Sequence, residues 1–542
     1  MHPADPGPAT TAIEAIESVE AEVSGGPVIG RREGPERSVA AFRGVPYVAP
    51  PVGPYRFAAP RPHAGWSSPL RTDGPVGTVP PQLPSPFAAL MGDPVGPDQT
   101  EACLTVNVWA PLTGRGPYPV LVWLPGGSFL TGGADLPRYD GAELAAQEEI
   151  VVVLVNYRLG ALGFLSPSWA EPAAIEGAGT SLTFRATGES GHVTNAGLLD
   201  QIMALRWVRR EIHAFGGDPH RITVIGQSAG GQALAALLAL PQVRPLFRRA
   251  ALHSAPLGMP PLSRAEAART ADALLAALSA DGNADGIQAL RTVPSERILL
   301  AQRQILARPR ARGDVRPPFQ LVADGTVVGP DLLGALRSSP PLHGLDVLAG
   351  TTRHECALWY GMDASLAAMT REEVAEEFAG QFGDRAEEAL RLYTSGPADR
   401  PAAFEELKTD AFFAAPTQEF GDLVQERGAA VRLFRFDWEV PGRYSALRAC
   451  HCLEIPFLLG RPEARRAPLF ADAEPADLSG LRAEVRRLWG SFVRTGSASD
   501  AWPQHRRERP AVRVIGGERN GVLLRSLLEP VREALWTDRG AN

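Results

Sequence analysis

Residues 221–240 read RITVIGQSAGGQALAALLAL, and Ser228 stands between Gly226 and Gly230 in a G-x-S-x-G pattern. An apolar β-branched run precedes the serine, and a run of small helix-forming residues follows it. This is the context of a nucleophile elbow, in which a strand turns sharply into a helix and projects the serine hydroxyl outward. At the helix N-terminus, backbone N–H groups and the helix dipole favour a developing negative charge. A plain glycine turn between a strand and a helix would read the same over five residues. The serine therefore needs partners elsewhere in the chain.

The first partner is a second N–H donor, from a glycine-rich loop after an earlier strand. PVLVWLPGGSFLTGG (119–133) supplies one, with Gly126 and Gly127 directly after the apolar run. The others are an acid and a histidine, in the chain order serine, acid, histidine. Of the ten histidines, His253, His343, His354, His451 and His505 lie well after Ser228. His505, in the charged run HRRER, is expected to be solvated. His253 follows Ser228 too soon to leave room for an acid-bearing strand. Of the other three, His354, beside Glu355, and His451 are weighed against each other, and the apolar EIPFLLG that follows His451 favours it. For the acid, Glu355 just past DVLAGT competes with Asp324 in the turn VADGT.

His451 sits in RACHCLEIPF (448–457), between Cys450 and Cys452. Zinc ligands usually stand two to four residues apart so that both side chains converge on the ion. Adjacent residues diverge, so the spacing opposes a metal site. Cys356, Cys450 and Cys452, three of the four cysteines, neighbour the candidate acid and base. They read either as small packing residues or as thiols whose oxidation would disturb His451.

These residues need a scaffold. PVLVWL (119–124), IVVVLVN (150–156), RITVIG (221–226), DVLAGT (346–351) and AVRLFRF (430–436) read as buried strands. In residues 195–219, Leu198, Leu199, Ile202, Leu205, Val208 and Ile212 recur at helical spacing. Asn195 is the expected N-cap, and Gly216, Gly217 and Pro219 form the stop. Strand, helix, strand with apolar strands implies a mainly parallel sheet covered by helices. Residues 481–496 read as a late helix. Residues 73–100 read as a Pro/Gly-rich loop. Residues 166–194 form a long Gly/Ser/Thr-rich insertion, expected to be a lid or a disordered surface loop. Residues 1–24 are expected to be a disordered or weakly structured tail, and residues 25–535 one large α/β domain.

The 542 residues carry a net charge of −7, from 54 Lys+Arg against 61 Asp+Glu, with Lys408 the sole lysine. That balance argues against nucleic acid or an anionic membrane as partner. No apolar run approaches the roughly 20 residues of a membrane span. The N-terminus lacks the basic and apolar regions of a signal peptide. Four unevenly spaced cysteines make no disulfide framework, so the expected compartment is the cytoplasm with reduced thiols.

Several motifs together resemble the type-B carboxylesterases over about residues 40–505. FRGVPYVAPPVGPYRF (42–57), EACLTVNVWAP (101–111), VNYRLGALGFLS, VIGQSAGG and LWGSFVRTGSASDAWP (488–503) are similar to family segments. The resemblance implies an α/β-hydrolase fold and hydrolysis of a small-molecule carboxylic ester through an acyl-enzyme, with no cofactor and no metal. GTTRHEC (350–356) matches the motif of the family's acid at Glu355, and HCLEIPF (451–457) matches that of its base at His451. By position, the oxyanion donors are the N–H groups of Gly127, Ser128 and Ala229. Ser254, in LHSAP, falls where relatives carry a serine that supports the triad. The family loop usually has a third glycine where Ser128 stands, which implies a narrower or more polar pocket. The family also contains non-catalytic adhesion proteins, and the same residues would serve amide, carbamate or lactone hydrolysis, or acyl transfer.

Overall fold

The central strands are apolar at consecutive positions because each is covered on both faces. In Tyr118–Leu124, Val120, Val122 and Leu124 pack into one core cluster, and Leu121 and Trp123 into a second on the opposite side. Side chains alternate across a strand, so a doubly buried strand reads as an unbroken apolar run. The computed structural model describes residues 18–537, apart from residues 75, 93–97, 188–190, 280–289, 311–312, 395–399, 461–466, 498–501 and 519.

Among the described residues the sheet has 13 strands. In chain order, twelve form its main path: β1 (Ser18–Val23), β2 (Gly26–Glu33), β3 (Val39–Pro46), β4 (Thr105–Pro111), β5 (Tyr118–Leu124), β6 (Val151–Val155), β7 (Gly217–Gln227), β8 (Arg249–His253), β9 (Asp346–Thr352), β10 (Ala430–Phe436), β11 (Val512–Ile515) and β12 (Gly521–Leu523). Their spatial order is β1-β2-β3-β4-β6-β5-β7-β8-β9-β10-β11-β12, and Leu70–Arg71 pairs with β2. The run from β6 through β5 to β11 is parallel throughout, and the remaining pairs along the path are antiparallel. This is an α/β-hydrolase fold.

Helices cover both faces. On one side lie α1 (Ala196–Glu211) and α2 (Ala229–Leu238), whose leucines enter the first cluster. On the other lies α3 (Pro475–Thr495), which brings Val485, Leu488, Trp489 and Phe492 into the second. Gly496 ends α3 in the left-handed conformation, as the sequence implied. Full burial of one such side chain contributes about 1.5–3 kcal/mol, so the sheet is a stiff platform for the loops at its strand ends.

Four expectations change. Residues 18–23, assigned to the tail, form strand β1. Its SVEAEV alternation suits an edge strand with one wet face, so it lacks the apolar run that marks the centre. Residues 1–17 lie outside the described residues. The 166–194 insertion is not structureless: Ala173–Glu176 pairs antiparallel with Thr183–Ala186, and His192 and Thr194 are buried. Asn195 stands at the N-cap position of α1, with its carbonyl accepting from the Leu198 and Leu199 N–H groups, but its side chain does not cap the helix. It takes a left-handed conformation, and its side chain bonds the Val322 N–H and carbonyl and the Asp324 carboxylate. His505 is not solvated: it is 1% exposed and its Nε2 lies 2.6 Å from Asp422 Oδ1.

Candidate active site

Three segments after parallel strands converge at one edge of the platform. The first is the turn between β7 and α2. Ser228 occupies it with φ 53° and ψ −122°. A non-glycine residue held there costs about 1–3 kcal/mol, which the surroundings must offset. Close packing supplies that constraint. A Cβ on Gly226 would lie 2.3 Å from the Gly230 carbonyl oxygen, and one on Gly230 would lie 2.1 Å from the Leu124 carbonyl oxygen. The Ser228 N–H donates to the His253 carbonyl at 2.8 Å, which ties the turn to β8. The first N–H groups of a helix have no intrahelical partner, so those at the start of α2, beginning with Ala229, remain donors. The Gly230→Ala variant should lose about 3 kcal/mol or more, because no flexible side chain can yield to the new methyl. Chemical unfolding measures this loss, and wild-type stability would disprove the packing account.

The second segment is the loop after β5. Gly127, Ser128 and Phe129 have consecutive φ values of 120°, 56° and 57°. A Cβ on Gly127 would lie 2.2 Å from the Thr131 carbonyl oxygen, so glycine is required. The Gly127 carbonyl accepts from the N–H groups of Leu130 and Thr131, both at 2.9 Å. Phe129 is held by Phe164, at 4.8 Å between ring centres, and by the Gly160 N–H on its carbonyl. Ser128, Ala229 and Ser228 line one pocket.

The third set comes from the ends of β9 and β10. His451 Nδ1 lies 2.5 Å from Glu355 Oε2. Glu355 Oε1 accepts from the Thr352 N–H at 2.8 Å, and the His451 N–H meets the Glu355 carbonyl at 3.3 Å. Both side chains are buried. The ring packs against Trp359 and Phe413, at 5.0 and 5.1 Å between centres. Phe413 belongs to a π-helical turn, Asp410–Ala414. Such turns are rare and recur at functional sites. Burial opposes charge on His451, but the adjacent Cys452 sulfur and Glu355 carboxylate outweigh it and hold the ring well above the ordinary 6.5. Glu355 is the partner to credit, because it bonds Nδ1 directly.

One contact was not legible in the sequence. Gln227 Nε2 lies 3.3 Å from His451 Nε2 and 3.2 Å from Cys452 Sγ. Gln227 is the first variable residue of the G-x-S-x-G motif, which is the only signal that could have singled it out. With Nδ1–H donating to Glu355, Nε2 keeps its lone pair and accepts from the Gln227 amide. The tautomer follows from this network. Among the described residues, Ser228 Oγ has no hydrogen bond within 3.5 Å. Serine–base contacts often close only on substrate binding.

The other candidates lie elsewhere. His354 directs Nδ1 toward Glu439 at 3.8 Å, and its backbone N–H meets the Ala449 carbonyl. Asp324 caps the turn N–H groups of Thr326, Val327 and Val328. His253 accepts from Trp489 Nε1 at 2.6 Å and faces Glu454 at 3.4 Å. Ser254, beside it, is buried with φ 47°. Its N–H bonds the Gly350 carbonyl, and its Oγ has no partner among the described residues. Burial pushes the Cys356 and Cys450 thiols well up, which favours packing over redox chemistry, whereas Cys452 is half-buried. No metal-binding cluster of His, Cys, Asp and Glu occurs among the described residues.

Fold and site together define a serine hydrolase that cleaves carboxylic esters. The sequence pattern of the Carboxylesterase family matches residues 17–172 and 180–525. The chain is 33% identical to the phenmedipham hydrolase of Pseudarthrobacter oxydans over 501 residues, covering 91% of this chain and 95% of that protein. It is 34% identical to the para-nitrobenzyl esterase of Bacillus subtilis (strain 168), covering 89% and 92%. A solved PNB esterase structure superposes with a TM-score of 0.79 at 32% identity, covering 95% and 99%. The chain belongs to the carboxylesterase family. No helix among the described residues is long and apolar enough to cross a membrane.

Proposed function

We propose that ester cleavage runs on Ser228, His451 and Glu355, with oxyanion donors at the N–H groups of Gly127, Ser128 and Ala229. The observation that carries this reading is the 2.5 Å contact of His451 Nδ1 with Glu355, buried beside the strained Ser228 turn. As substrate docks, the Ser228 hydroxyl replaces the Gln227 amide on His451 Nε2. Ser228 Oγ attacks the ester carbonyl carbon while Nε2 takes its proton. Glu355 stabilises the imidazolium, and the three N–H groups receive the oxyanion. The tetrahedral intermediate collapses, and the alcohol leaves with the proton from Nε2. Water then repeats both steps on the acyl-enzyme and releases the acid. Ser254 ties the end of β8 to β9 through its N–H on the Gly350 carbonyl, and its Oγ takes no part in this scheme. The four unpaired thiols support the cytoplasm as compartment.

A base must be neutral to act, so kcat/KM rises with pH along one acidic limb. Its midpoint lies above the ordinary histidine value of 6.5, because the folded state raises His451. A raised pKa stabilises the fold most below the unfolded value, and this contribution is lost as pH rises through the folded one. A pH series of kcat/KM on a nitrophenyl ester tests the assignment. A midpoint at or below 6.5 contradicts it.

A further inference from the structure

The pocket beside Ser228 has apolar and aromatic walls, among them Phe129, Met259, Val315, Trp359 and Phe413. Its polar lining is uncharged: besides Ser228 itself, Ser128, Gln232 and Gln320. The two carboxamides differ. Gln232 Nε2 donates to the Met259 and Pro256 carbonyls, at 2.6 and 3.3 Å, and is committed to the scaffold. Gln320 is 1% exposed, and its Nε2 has no hydrogen-bond partner among the described residues. A buried donor left unpaired is costly, and native structures keep few without cause.

Gln320 has little freedom to escape this cost. Its neighbours Phe319 and Leu321 are buried. The Leu321 carbonyl accepts from the Leu262 N–H at 2.9 Å. One residue on, Asn195 clamps both the N–H and the carbonyl of Val322, each at 2.9 Å. The backbone next to Gln320 is thus held in place, and its side chain lies buried at the pocket with an N–H that has no partner among the described residues. A charged group bound there would meet no counter-charge in the lining and would lose its hydration. A neutral oxygen would complete the hydrogen bond.

We propose that Gln320 is a specificity-determining donor that binds a neutral acceptor oxygen of the substrate. The enzyme then selects uncharged esters that carry an ether or carbonyl oxygen a few bonds from the scissile carbonyl, over hydrocarbon esters of the same shape. This rests on Ser228 being the nucleophile.

Two matched ester pairs test it. In the acyl part, 4-nitrophenyl 3-methoxypropanoate is compared with 4-nitrophenyl pentanoate. In the alcohol part, 2-methoxyethyl benzoate is compared with butyl benzoate. In each pair one CH2 becomes oxygen. The readout is the ratio of kcat/KM, oxygenated over hydrocarbon, in wild type, Gln320→Met and Gln320→Glu. The ratio for one pair should fall about 10-fold in Gln320→Met, with the hydrocarbon ester unaffected or faster. The pair that responds identifies the side of the ester that faces Gln320. Gln320→Glu, of the same size, lacks the donor once its carboxyl is ionised, and at a pH above that ionisation it should fall at least as far. A purely structural role lowers both members in parallel and leaves the ratio unchanged, which overturns the proposal while the nucleophile assignment stands. No turnover of any of the four esters by wild type overturns both.

Discussion

Ser228→Ala should lower kcat/KM on a nitrophenyl ester by about 10⁴–10⁶-fold and leave the fold intact. The size follows from the division of labour at the site. Without Oγ no acyl-enzyme forms, and what survives is binding and oxyanion stabilisation acting on water. The intact fold follows from the local structure. Alanine keeps the Cβ, and the turn is tied through the Ser228 N–H to His253, which alanine also provides. Ser228 Oγ makes no hydrogen bond among the described residues, so none is lost. Two measurements are needed: steady-state rates with active-site titration, and an unfolding curve against wild type. Wild-type turnover would eliminate Ser228 as nucleophile. Lost turnover with an unfolded chain would leave the role to be tested by fluorophosphonate labelling of the wild-type serine.

Glu355→Gln should cost about 10³–10⁴-fold in kcat. The carboxamide is almost isosteric, and its oxygen can still accept from the Thr352 N–H, so the packing survives. The chemistry does not. Glu355 Oε2 accepts from His451 Nδ1–H at 2.5 Å and thereby leaves the Nε2 lone pair free. An NH2 group facing Nδ1 favours the opposite tautomer, with the proton on Nε2, where the Ser228 proton must go. The variant also loses the negative charge that raises His451. Its acidic limb should therefore move down in pH relative to wild type, and a loss of packing alone would not cause that shift. A variant with wild-type kcat and an unmoved limb would remove Glu355 from the mechanism.

The parts of the site that were legible in the sequence are local. The elbow is a strand, a turn and a helix within the 22 contiguous residues 217–238, and its glycines answer to contacts with adjoining backbone. His451 and Glu355 were legible through motif and chain order, although residue rules alone left His354 and Asp324 in contention. In the structure Asp324 serves a turn and His354 faces Glu439, while His451 and Glu355 meet each other. What stayed hidden depends on long-range proximity. Trp359 and Phe413 reach His451 from different segments, and Gln320 reaches the pocket through a clamp made by Asn195, 127 residues away from Val322. Strand β1 and the 173–186 hairpin were missed for a different reason. Edge strands and surface hairpins carry polar alternation, which a search for apolar runs passes over.

The order of the sheet also bears on how the enzyme becomes active. Ser228 sits after β7, Glu355 after β9 and His451 after β10, and Gln227 meets His451 across 224 residues of chain. Contacts that close such long loops form slowly, because their entropy is lost before any packing is gained. Helices α1 and α2 can form while the chain is still short; the acid–base pair exists only after β9 and β10 have added in register. On the ribosome or after dilution from denaturant, helical signal therefore returns before turnover. On the proposed mechanism, catalytic competence reports the closing of the second half of the sheet, and a nascent chain that ends before β10 would expose a folded elbow without hydrolysing anything.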